Sequence, residues 1–569
     1  MMAPYAVAHM KLAMVLKDTG YEFKSAERLN VFLTNTLEEP GDSDNQMTLW
    51  SDPLAMESIA ANVVKKNGGL NILIGNPPYS GESANKNDWI MSLMENYKKE
   101  PGKEIKLQEQ NSKWLNDDYV KFIRYAQSIT SKTNQGILAF INPHGFVDNP
   151  TFRGMRWSLL QSFSDIYILD LHGNAKKKET APDGSKDENV FDIQQGVCIL
   201  IGIKNGNKKC QVHHADIYGL RDYKYKTLNS LSITDVKWTL LQPSGENYLF
   251  IEQNDSLVQE WNQFIRIDEL FPVNGVGICS KRDPIAFHDK KENLLQTLED
   301  FASLPEEAIK TKYKVTSESR DQKVIYAKDN IKNYGIKEKY LKQCLYRPFD
   351  IKWTYYTDKV RGFLAYPVYK VLSHMINDNI GLIVSRQGQA SDLSNWNVVF
   401  CTDRIVDLNI FRRGGGCLFP LYVYTDEFGQ VKRKPNLKTE LVKGFADQLG
   451  IEYVESQDKV SRGTCFSAED FWNYIYAVLH SPAYRTKYKE FLNLDFPRIP
   501  YISNQEVFWK LVGYGSSIKK VHLMKDEECK SLYTGDFIEG TNLIEKISFK
   551  NNCIYINKLQ GFTDIEERL

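Results

Sequence analysis

The first 205 residues alternate between short apolar runs and longer segments in which apolar residues recur at helical spacing. Apolar runs of about four to eight residues that end in turn-forming residues are typical of buried strands, and apolar positions three or four apart are typical of helices. The pattern predicts strands at 28–33, 70–74, 136–143, 166–171 and 197–203, and helices at 3–18, 53–66, 119–129 and 154–163. Strands and helices in this order predict a doubly wound, Rossmann-like α/β sheet.

Beyond residue 205 the alternation fades. Short aromatic strands are predicted at 352–357 and 420–424, among loops rich in glycine, and a helix is predicted at 468–479. These patterns indicate a separate α+β module. We therefore expect one domain at 1–235 and a second at 236–569, and a chain of 569 residues is indeed too long for one ordinary core.

The overall charge of the chain points to no particular partner. Lys and Arg together number 72, as do Asp and Glu, so any nucleic-acid site has to be a local basic patch. The nine cysteines are scattered without a C-x-x-C pair, which favours a reducing cytoplasm and predicts no zinc or other metal site. No apolar run reaches membrane-spanning length and no leader opens the chain, so we expect a cytoplasmic protein without a membrane partner.

The strand at 70–74 runs into the turn Asn76-Pro77-Pro78-Tyr79. Neither proline can donate a ladder hydrogen bond, so the strand has to stop there. The polar and aromatic groups of this turn then lie at the carboxyl end of a strand, which is where open α/β sheets bind ligands. The four residues resemble the catalytic tetrapeptide of amino-methylating DNA methyltransferases, which transfer a methyl group from S-adenosylmethionine to the exocyclic amine of adenine or cytosine.

The residue types of this tetrapeptide suit that chemistry. The lone pair of an adenine amine is delocalised into the ring, and acceptors aimed at its two hydrogens favour a pyramidal nitrogen with the lone pair free. The side-chain oxygen of Asn76 and the carbonyl of Pro77 are candidate acceptors, and Pro78 helps to hold both rigidly. A base inside a duplex cannot reach such a pocket, so it has to be flipped out, and Tyr79 offers a ring to stack on it. The alternative is an ordinary strand-ending turn with a packed tyrosine.

Two further residues are candidates for the same site. Phe191 lies shortly before the predicted strand at 197–203, and it is either a core residue or a second ring that stacks on the flipped base opposite Tyr79. Asn35 follows the predicted strand at 28–33, where a side-chain amide can bond the adenine edge of a cofactor. An asparagine that bonds its own turn is an equally good interpretation of Asn35.

Taken together, these stretches resemble a known family. The segments 76–79, 136–148, 152–160 and 190–203 are similar, in order and spacing, to the later motifs of the gamma-type adenine-N6 DNA methyltransferases. The segments 346–350, 480–485 and 496–500 resemble the target-recognition portion of single-polypeptide restriction-modification enzymes of the type ISP kind. The resemblance covers nearly the whole chain.

The resemblance implies specific roles for the candidate residues. Asn76, Pro77 and Tyr79 hold the target adenine, Phe191 is the second stacking aromatic, and Asn35 lies in the loop near the adenine of S-adenosylmethionine. It also implies that 1–235 is the methyltransferase domain and that 236–569 is the target-recognition domain for double-stranded DNA.

One part of the family pattern is missing. The family binds the methionine end of its cofactor with an F-x-G-x-G turn, and nothing upstream of Asn76 matches it. A Walker lysine loop and a nuclease carboxylate set are missing as well. We therefore expect an upstream polypeptide to carry the missing cofactor motif, the helicase and the nuclease.

Two classes of function follow. The first is an enzyme that methylates adenine in a specific DNA sequence as part of a restriction-modification system. The second is a catalytically incomplete DNA sequence-recognition subunit that needs such a partner. Methylation of RNA or of a protein glutamine uses the same tetrapeptide chemistry, but the large aromatic second module favours DNA.

Overall fold

The computed structural model describes residues 2–24, 29–41, 53–67, 69–81, 83–107, 112–177, 179–206, 209–253, 255–385, 396–411, 415–427, 430–455, 463–525, 536–538 and 540–565. The chain divides into two compact units, Met1–Asn254 and Asp255–Leu569. Among the described residues, no helix is long and apolar enough to cross a membrane.

The first unit contains the predicted alternation of helices and strands. Its helices are α1 (Met2–Asp18), α2 (Pro53–Asn67), α3 (Asp88–Met94), α4 (Asp118–Thr130), α5 (Gly145–Asp148), α6 (Arg153–Ser162) and α7 (Arg221–Ser230). Its strands are β1 (Ile72–Gly75), β2 (Gly136–Pro143), β3 (Asp165–Asp170), β4 (Val197–Lys204), β5 (Gln211–Asp216) and β6 (Thr239–Leu241). The four helices predicted for this region are confirmed, as are the predicted strands that became β1, β2, β3 and β4.

These six strands form one mixed sheet in the order β1-β2-β4-β3-β5-β6. β1 is parallel to β2 and β3 is parallel to β5, whereas β4 is antiparallel to both of its neighbours. The carboxyl ends of β1, β2 and β3 therefore meet the start of β4 at one edge of the sheet. The fold is the predicted Rossmann-like α/β sheet.

One face of this sheet is well covered. Leu138 and Phe140 of β2 and Ile166 and Ile168 of β3 are buried there with apolar residues of α4 and α6. Each side chain of this size contributes about 1.5 to 3 kcal/mol when it leaves water. The covered face therefore fixes the strands whose ends carry the candidate site.

Two predictions near the start of the chain are wrong. The described part of 28–33, from Leu29 onward, pairs with no strand of the described chain, and it runs as irregular backbone into a turn at Asn35. β1 is a strand, but it is not buried: it lies at the end of the sheet, with Ile72 61% and Ile74 80% exposed. Apolar composition alone cannot distinguish a central strand from an edge strand with one uncovered face.

The first unit extends about twenty residues beyond the predicted boundary at 235. β6 pairs with β5, and the buried guanidinium of Arg156 donates to the carbonyl of Asn247 at 2.9 and 2.7 Å. The amide of Phe250 donates to the carbonyl of Val147 at 3.0 Å. These contacts attach residues 239–250 to the first unit.

The second unit is an α+β structure, as predicted. Its strands are β7 (Ile265–Arg266), β8 (Gly275–Val276), β9 (Leu341–Arg347), β10 (Asp350–Tyr355), β11 (Gly381–Val384), β12 (Val399–Thr402), β13 (Ile405–Val406), β14 (Cys417–Pro420), β15 (Tyr422–Glu427), β16 (Gln430–Pro435), β17 (Glu452–Val454), β18 (Cys465–Ser467), β19 (Arg498–Ile499), β20 (Ser548–Lys550), β21 (Cys553–Tyr555) and β22 (Gly561–Phe562). They form small sheets, the largest of which has four strands in the order β12-β11-β14-β8.

Helices pack around these sheets and fill two large hydrophobic clusters. They span Asp255–Gln263, Ile267–Leu270, Asp283–Ala286, Lys291–Ser303, Glu306–Lys312, Val324–Tyr334, Tyr369–Leu372, Thr439–Leu449, Ala468–His480, Pro482–Lys487, Lys489–Leu494 and Gln505–His522. The helix predicted at 468–479 is confirmed. It begins at a capping box in which the hydroxyl of Ser467 accepts from the amide of Asp470 at 3.1 Å.

Candidate active site at the carboxyl edge of the sheet

The tetrapeptide Asn76-Pro77-Pro78-Tyr79 lies directly beyond the carboxyl end of β1. Because β1 is parallel to β2, with Gly75 opposite Phe140, the tetrapeptide lies beside the end of β2. Asn76 and Pro78 are exposed, Pro77 is buried and Tyr79 is half-buried. The asparagine therefore faces solvent from a turn whose backbone is fixed by the buried proline.

The hydroxyl of Tyr79 connects the tetrapeptide to the neighbouring strand. It lies 2.9 Å from the side-chain oxygen of Asn76 and 3.0 Å from the carbonyl oxygen of Ile141, and both oxygens are acceptors. Burial, with a smaller contribution from nearby Cys198, raises the pKa of Tyr79 to about 12, so the hydroxyl keeps its proton at neutral pH. The hydroxyl can therefore donate to either oxygen, and it links the side chain of Asn76 to β2.

The chain after Tyr79 is fixed by α4. The amides of Ser80 and Gly81 donate to the two carboxylate oxygens of Asp117 at 3.2 and 3.1 Å. Asp117 is the residue that immediately precedes α4, and burial raises the pKa of its carboxyl group. The loop therefore leaves the tetrapeptide in a defined direction.

Asn35 lies in an exposed turn. Its side-chain oxygen accepts from the amide of Leu37 at 3.1 Å, and its amide nitrogen donates to Glu38 at 3.0 Å and to the side-chain oxygen of Asn85 at 2.9 Å. Asn85 donates in turn to Asp118 of α4 at 3.1 Å. The structure thus places Asn35 next to the loop that follows Tyr79, with its own turn as one partner, and its role in cofactor binding stays a prediction.

Phe191 lies in the long connection between β3 and β4. Its ring and the ring of Tyr79 both pack against one small buried cluster, made of Leu169, Leu171, Val190 and Val197. Phe191 also lines an open cavity of about 930 Å³ beside α7, whose lining does not include residues 76–79. The structure therefore brings both predicted stacking residues to the same cluster, and their contact with a base stays a prediction.

Sequence reasoning missed a network of histidines and carboxylates at this edge. His144 follows β2, and its Nδ1 lies 3.0 Å from a carboxylate oxygen of Asp170, the last residue of β3. The two ring nitrogens of His172 lie 2.9 Å from Glu179 and 2.8 Å from Asp216. The signal in the sequence was a histidine directly after each of two predicted strands.

This network carries a charge that solvent does not reach easily. Burial alone lowers the pKa of His172, but hydrogen bonds to Asp216 and Glu179 raise it to about 10. Hydrogen bonds from His144 likewise lower the pKa of Asp170 against the opposing effect of burial. At neutral pH the network therefore holds a histidinium between carboxylates.

The same side chains are of types that bind metal ions. In the described part of the chain, His144, Asp170 and His172 each offer a ligand atom within 4.8 Å of the others, as do Asp170, His214 and Asp216. Both ring nitrogens of His172 already form hydrogen bonds to carboxylates, so neither nitrogen has a free lone pair for a metal ion in this arrangement. The expectation of no metal site stays a prediction.

The described residues fit only part of a site for S-adenosylmethionine. They place the tetrapeptide at the carboxyl end of β1, but no strand precedes β1 in the ranges 2–24, 29–41, 53–67 and 69–71. A glycine turn after such a strand is what lets the backbone approach the methionine end of the cofactor. The fit of these residues to S-adenosylmethionine therefore stays a prediction.

Comparison with known sequences and structures agrees with this organisation. The profile of the Type ISP C-terminal specificity domain matches residues 269–569, and that of the Eco57I restriction-modification methylase matches residues 2–176. A search of curated protein sequences gives no significant match.

Three solved structures share the fold over almost the whole chain. The ATP-dependent Type ISP restriction-modification enzyme LlaBIII, bound to DNA, has a TM-score of 0.69 and 21% identity over 99% of this chain and 38% of that one. The DrdV–DNA complex has a TM-score of 0.65 and 21% identity over 98% of this chain and 55% of that one. A nuclease-deletion mutant of the Type ISP enzyme LlaGI, with a DNA substrate mimic, has a TM-score of 0.66 and 20% identity over 99% and 51%. The chain therefore spans roughly two fifths to slightly more than half of these proteins.

Proposed function

Because the chain belongs to the family defined by the Type ISP C-terminal specificity domain, we propose that it is the methyltransferase and specificity part of a restriction-modification enzyme. The reaction is transfer of a methyl group from S-adenosylmethionine to the N6 amine of adenine within a specific sequence of double-stranded DNA. The observation that supports it best is the placement of Asn76 to Tyr79 directly after β1, beside the cluster that also holds Phe191.

The tetrapeptide acts by orienting the amine. The side-chain oxygen of Asn76 and the carbonyl of Pro77 accept the two amine hydrogens, so the nitrogen lone pair points away from the ring plane. Tyr79 stacks on the extruded adenine from one side and Phe191 from the other. The cofactor, when bound, supplies the electrophilic methyl group, and no side chain of the tetrapeptide needs to act as a base.

The second unit offers a local basic patch of the kind that DNA binding requires. Lys432, Arg433 and Lys434 are consecutive exposed residues of β16, which forms a two-stranded hairpin with β15. Successive side chains of a strand point to opposite faces, so Lys432 and Lys434 share one face. Cations spaced along a strand suit contacts to successive phosphates, which position a protein on a duplex without reading its bases.

The uncovered end of the sheet suits a polypeptide partner. β1 has a neighbouring strand on one side only in the described chain, and its outward residues Ile72 and Ile74 are apolar and exposed. α1 also exposes apolar side chains, among them Met10 and Val15. A segment that adds a strand to this edge would pair with the free edge of β1 and would bring the cofactor turn. We propose that an upstream polypeptide with the missing motif, the helicase and the nuclease binds here.

The same observation favours one alternative. With only the substrate half of the site, the chain acts as a sequence-recognition subunit until that partner binds. Adenine methylation, mapped genome-wide in cells with and without the gene, tests the proposal. One sequence motif should lose its N6-methyladenine when the gene is deleted, and an unchanged methylation map would refute the function.

Replacing Tyr79 by alanine should weaken capture of the extruded base by about 1 to 3 kcal/mol, the usual contribution of one base–aromatic stack. Tyr79→Phe keeps the ring, so it should capture the base as well as the wild type does. The measurement is the fluorescence of 2-aminopurine placed at the target position of the mapped motif, which rises on flipping. Equal signals from the wild type and Tyr79→Ala would contradict the stacking role.

A further inference from the structure

The segment 188–191 carries Phe191 and forms neither helix nor strand. Its four successive carbonyl groups nevertheless all accept hydrogen bonds from side chains of α7. Lys224 donates to residue 188 at 2.7 Å, Arg221 to residue 189 at 2.8 Å, Tyr225 to residue 190 at 2.6 Å, and Arg221 again to residue 191 at 3.0 Å. Every carbonyl group of this loop segment therefore has a hydrogen-bond donor.

The three donors form a single surface of α7. Residues 221, 224 and 225 are spaced three and four positions apart, so they lie on the same face of a helix. Arg221 also pairs with Asp192, the residue after Phe191, at 2.7 Å. We call Arg221, Lys224 and Tyr225 the carbonyl clamp.

A buried ion pair anchors the clamp to the sheet. The side chains of Lys224 and Asp187 are both fully buried, and their charged atoms lie 2.7 Å apart. Lys224 also donates to the carbonyl of Leu171, just beyond β3, at 2.7 Å. Asp187 accepts from the amides of Gly173 and Gly219 at 2.6 and 2.7 Å. A charge pair so fully enclosed holds its partners in one geometry, because breaking it leaves a charge unsolvated.

The clamp controls where the Phe191 ring lies. The amide of Phe191 donates to the side-chain oxygen of Asn189 at 2.8 Å, and the nitrogen of that side chain donates to the carbonyls of Gly173 and Gln195. With both the amide and the carbonyl of Phe191 bonded, its backbone has little freedom. The ring therefore stays between the buried cluster and the cavity that it lines.

We propose that Arg221, Lys224 and Tyr225 are positioning residues, which hold Phe191 as a preformed wall for a planar nucleobase. This inference rests on the proposed function, in which Phe191 stacks on the flipped adenine. A loop that is ordered in advance pays no ordering entropy when the base arrives, so the stack contributes its full interaction to binding. Without the clamp, the same loop would have to order at each binding event.

Tyr225 permits a test that leaves packing unchanged. Its side chain is 43% exposed and its hydroxyl donates to the loop, so Tyr225→Phe removes one hydrogen bond and little else. Tyr223 is the matched control: it lies on the same helix, is 58% exposed, and makes no hydrogen bond to 188–191 in the described structure. Substituting Lys224 would strand Asp187 in the interior, so that variant is not used.

Hydrogen exchange of the full chain, followed by mass spectrometry, tests the clamp independently of activity. Tyr225→Phe should speed the exchange of peptides that span 188–196 about three- to tenfold, the usual effect of one lost hydrogen bond on local opening. Tyr223→Phe should leave these rates unchanged. Equal exchange in the two variants would overturn the proposal.

A double-mutant cycle on 2-aminopurine fluorescence tests whether the clamp acts through Phe191. With the target motif known from methylation mapping, Tyr225→Phe should weaken base capture about three- to tenfold in the wild-type background and have no effect beside Phe191→Ala. The same loss in both backgrounds would overturn the positioning role. If Phe191→Ala alone leaves base capture unchanged, the stacking role and this inference both fail, whereas the methylation map decides the proposed function separately.

Discussion

Replacing Asn76 by alanine should abolish methyl transfer, with a loss of about 3 kcal/mol or more in transition-state stabilisation. The substitution removes the one side-chain acceptor that acts when the amine nitrogen becomes pyramidal. Folding and DNA binding should remain nearly intact, because Asn76 is exposed and Tyr79 keeps the carbonyl of Ile141 as its acceptor. The rate of methyl transfer into the mapped motif, measured with the upstream partner present, gives the result.

The chain offers a matched control for this substitution. Asn71 is an exposed asparagine just before the other end of β1, and its contribution to the sheet is the backbone carbonyl that accepts from Ile137. Asn71→Ala should methylate at the wild-type rate. If Asn76→Ala also methylates at that rate, the tetrapeptide is not the catalytic site.

The second large effect concerns the cofactor. We expect the 569 residues alone to bind S-adenosylmethionine weakly or not at all, because no described strand and glycine turn adjoin β1 to hold the methionine end. The exposed edge of β1, with Ile72 and Ile74, should also make the chain prone to associate. Supplying the upstream segment in trans should restore cofactor binding and solubility together.

Titration calorimetry shows whether the isolated chain binds S-adenosylmethionine or needs the upstream segment to do so. Sedimentation reports association in the same samples. A micromolar affinity of the isolated chain, equivalent to about −8 kcal/mol, would show that the pocket is complete without a partner. An upstream segment that restores binding but leaves association unchanged would show that it does not cover β1.

Strand and helix positions followed from the sequence wherever long-range packing confirmed the local pattern. β2 occupies the predicted residues 136–143, because its apolar run is covered by α4 and α6 and paired on both edges. The apolar run Val31-Phe32-Leu33 has the same strand-like composition but pairs with no strand in the described chain. A strand forms only when it pairs with a neighbouring strand, so a single apolar run predicts only that the segment is able to become a strand.

The site was predictable only where a motif carried its chemistry in consecutive residues. Asn76 to Tyr79 could be singled out because proline pairs after apolar strands are uncommon. The clamp could not, because Arg221, Lys224 and Tyr225 are ordinary polar residues of a helix until the fold places a loop thirty-odd positions upstream against them. Their partners are backbone carbonyls, which every residue has, so no residue type in the sequence marks them.

The hydroxyl of Tyr79 has one proton and two acceptors within reach, the side chain of Asn76 and the carbonyl of Ile141. In the proposed reaction, the hydroxyl can donate to the asparagine oxygen before a base enters, at the position that a hydrogen of the substrate amine would take. Once the amine donates there, the hydroxyl can donate to Ile141 instead, so that neither donor is left without an acceptor. The exchange of one hydrogen for the other then requires only a rotation of the hydroxyl group.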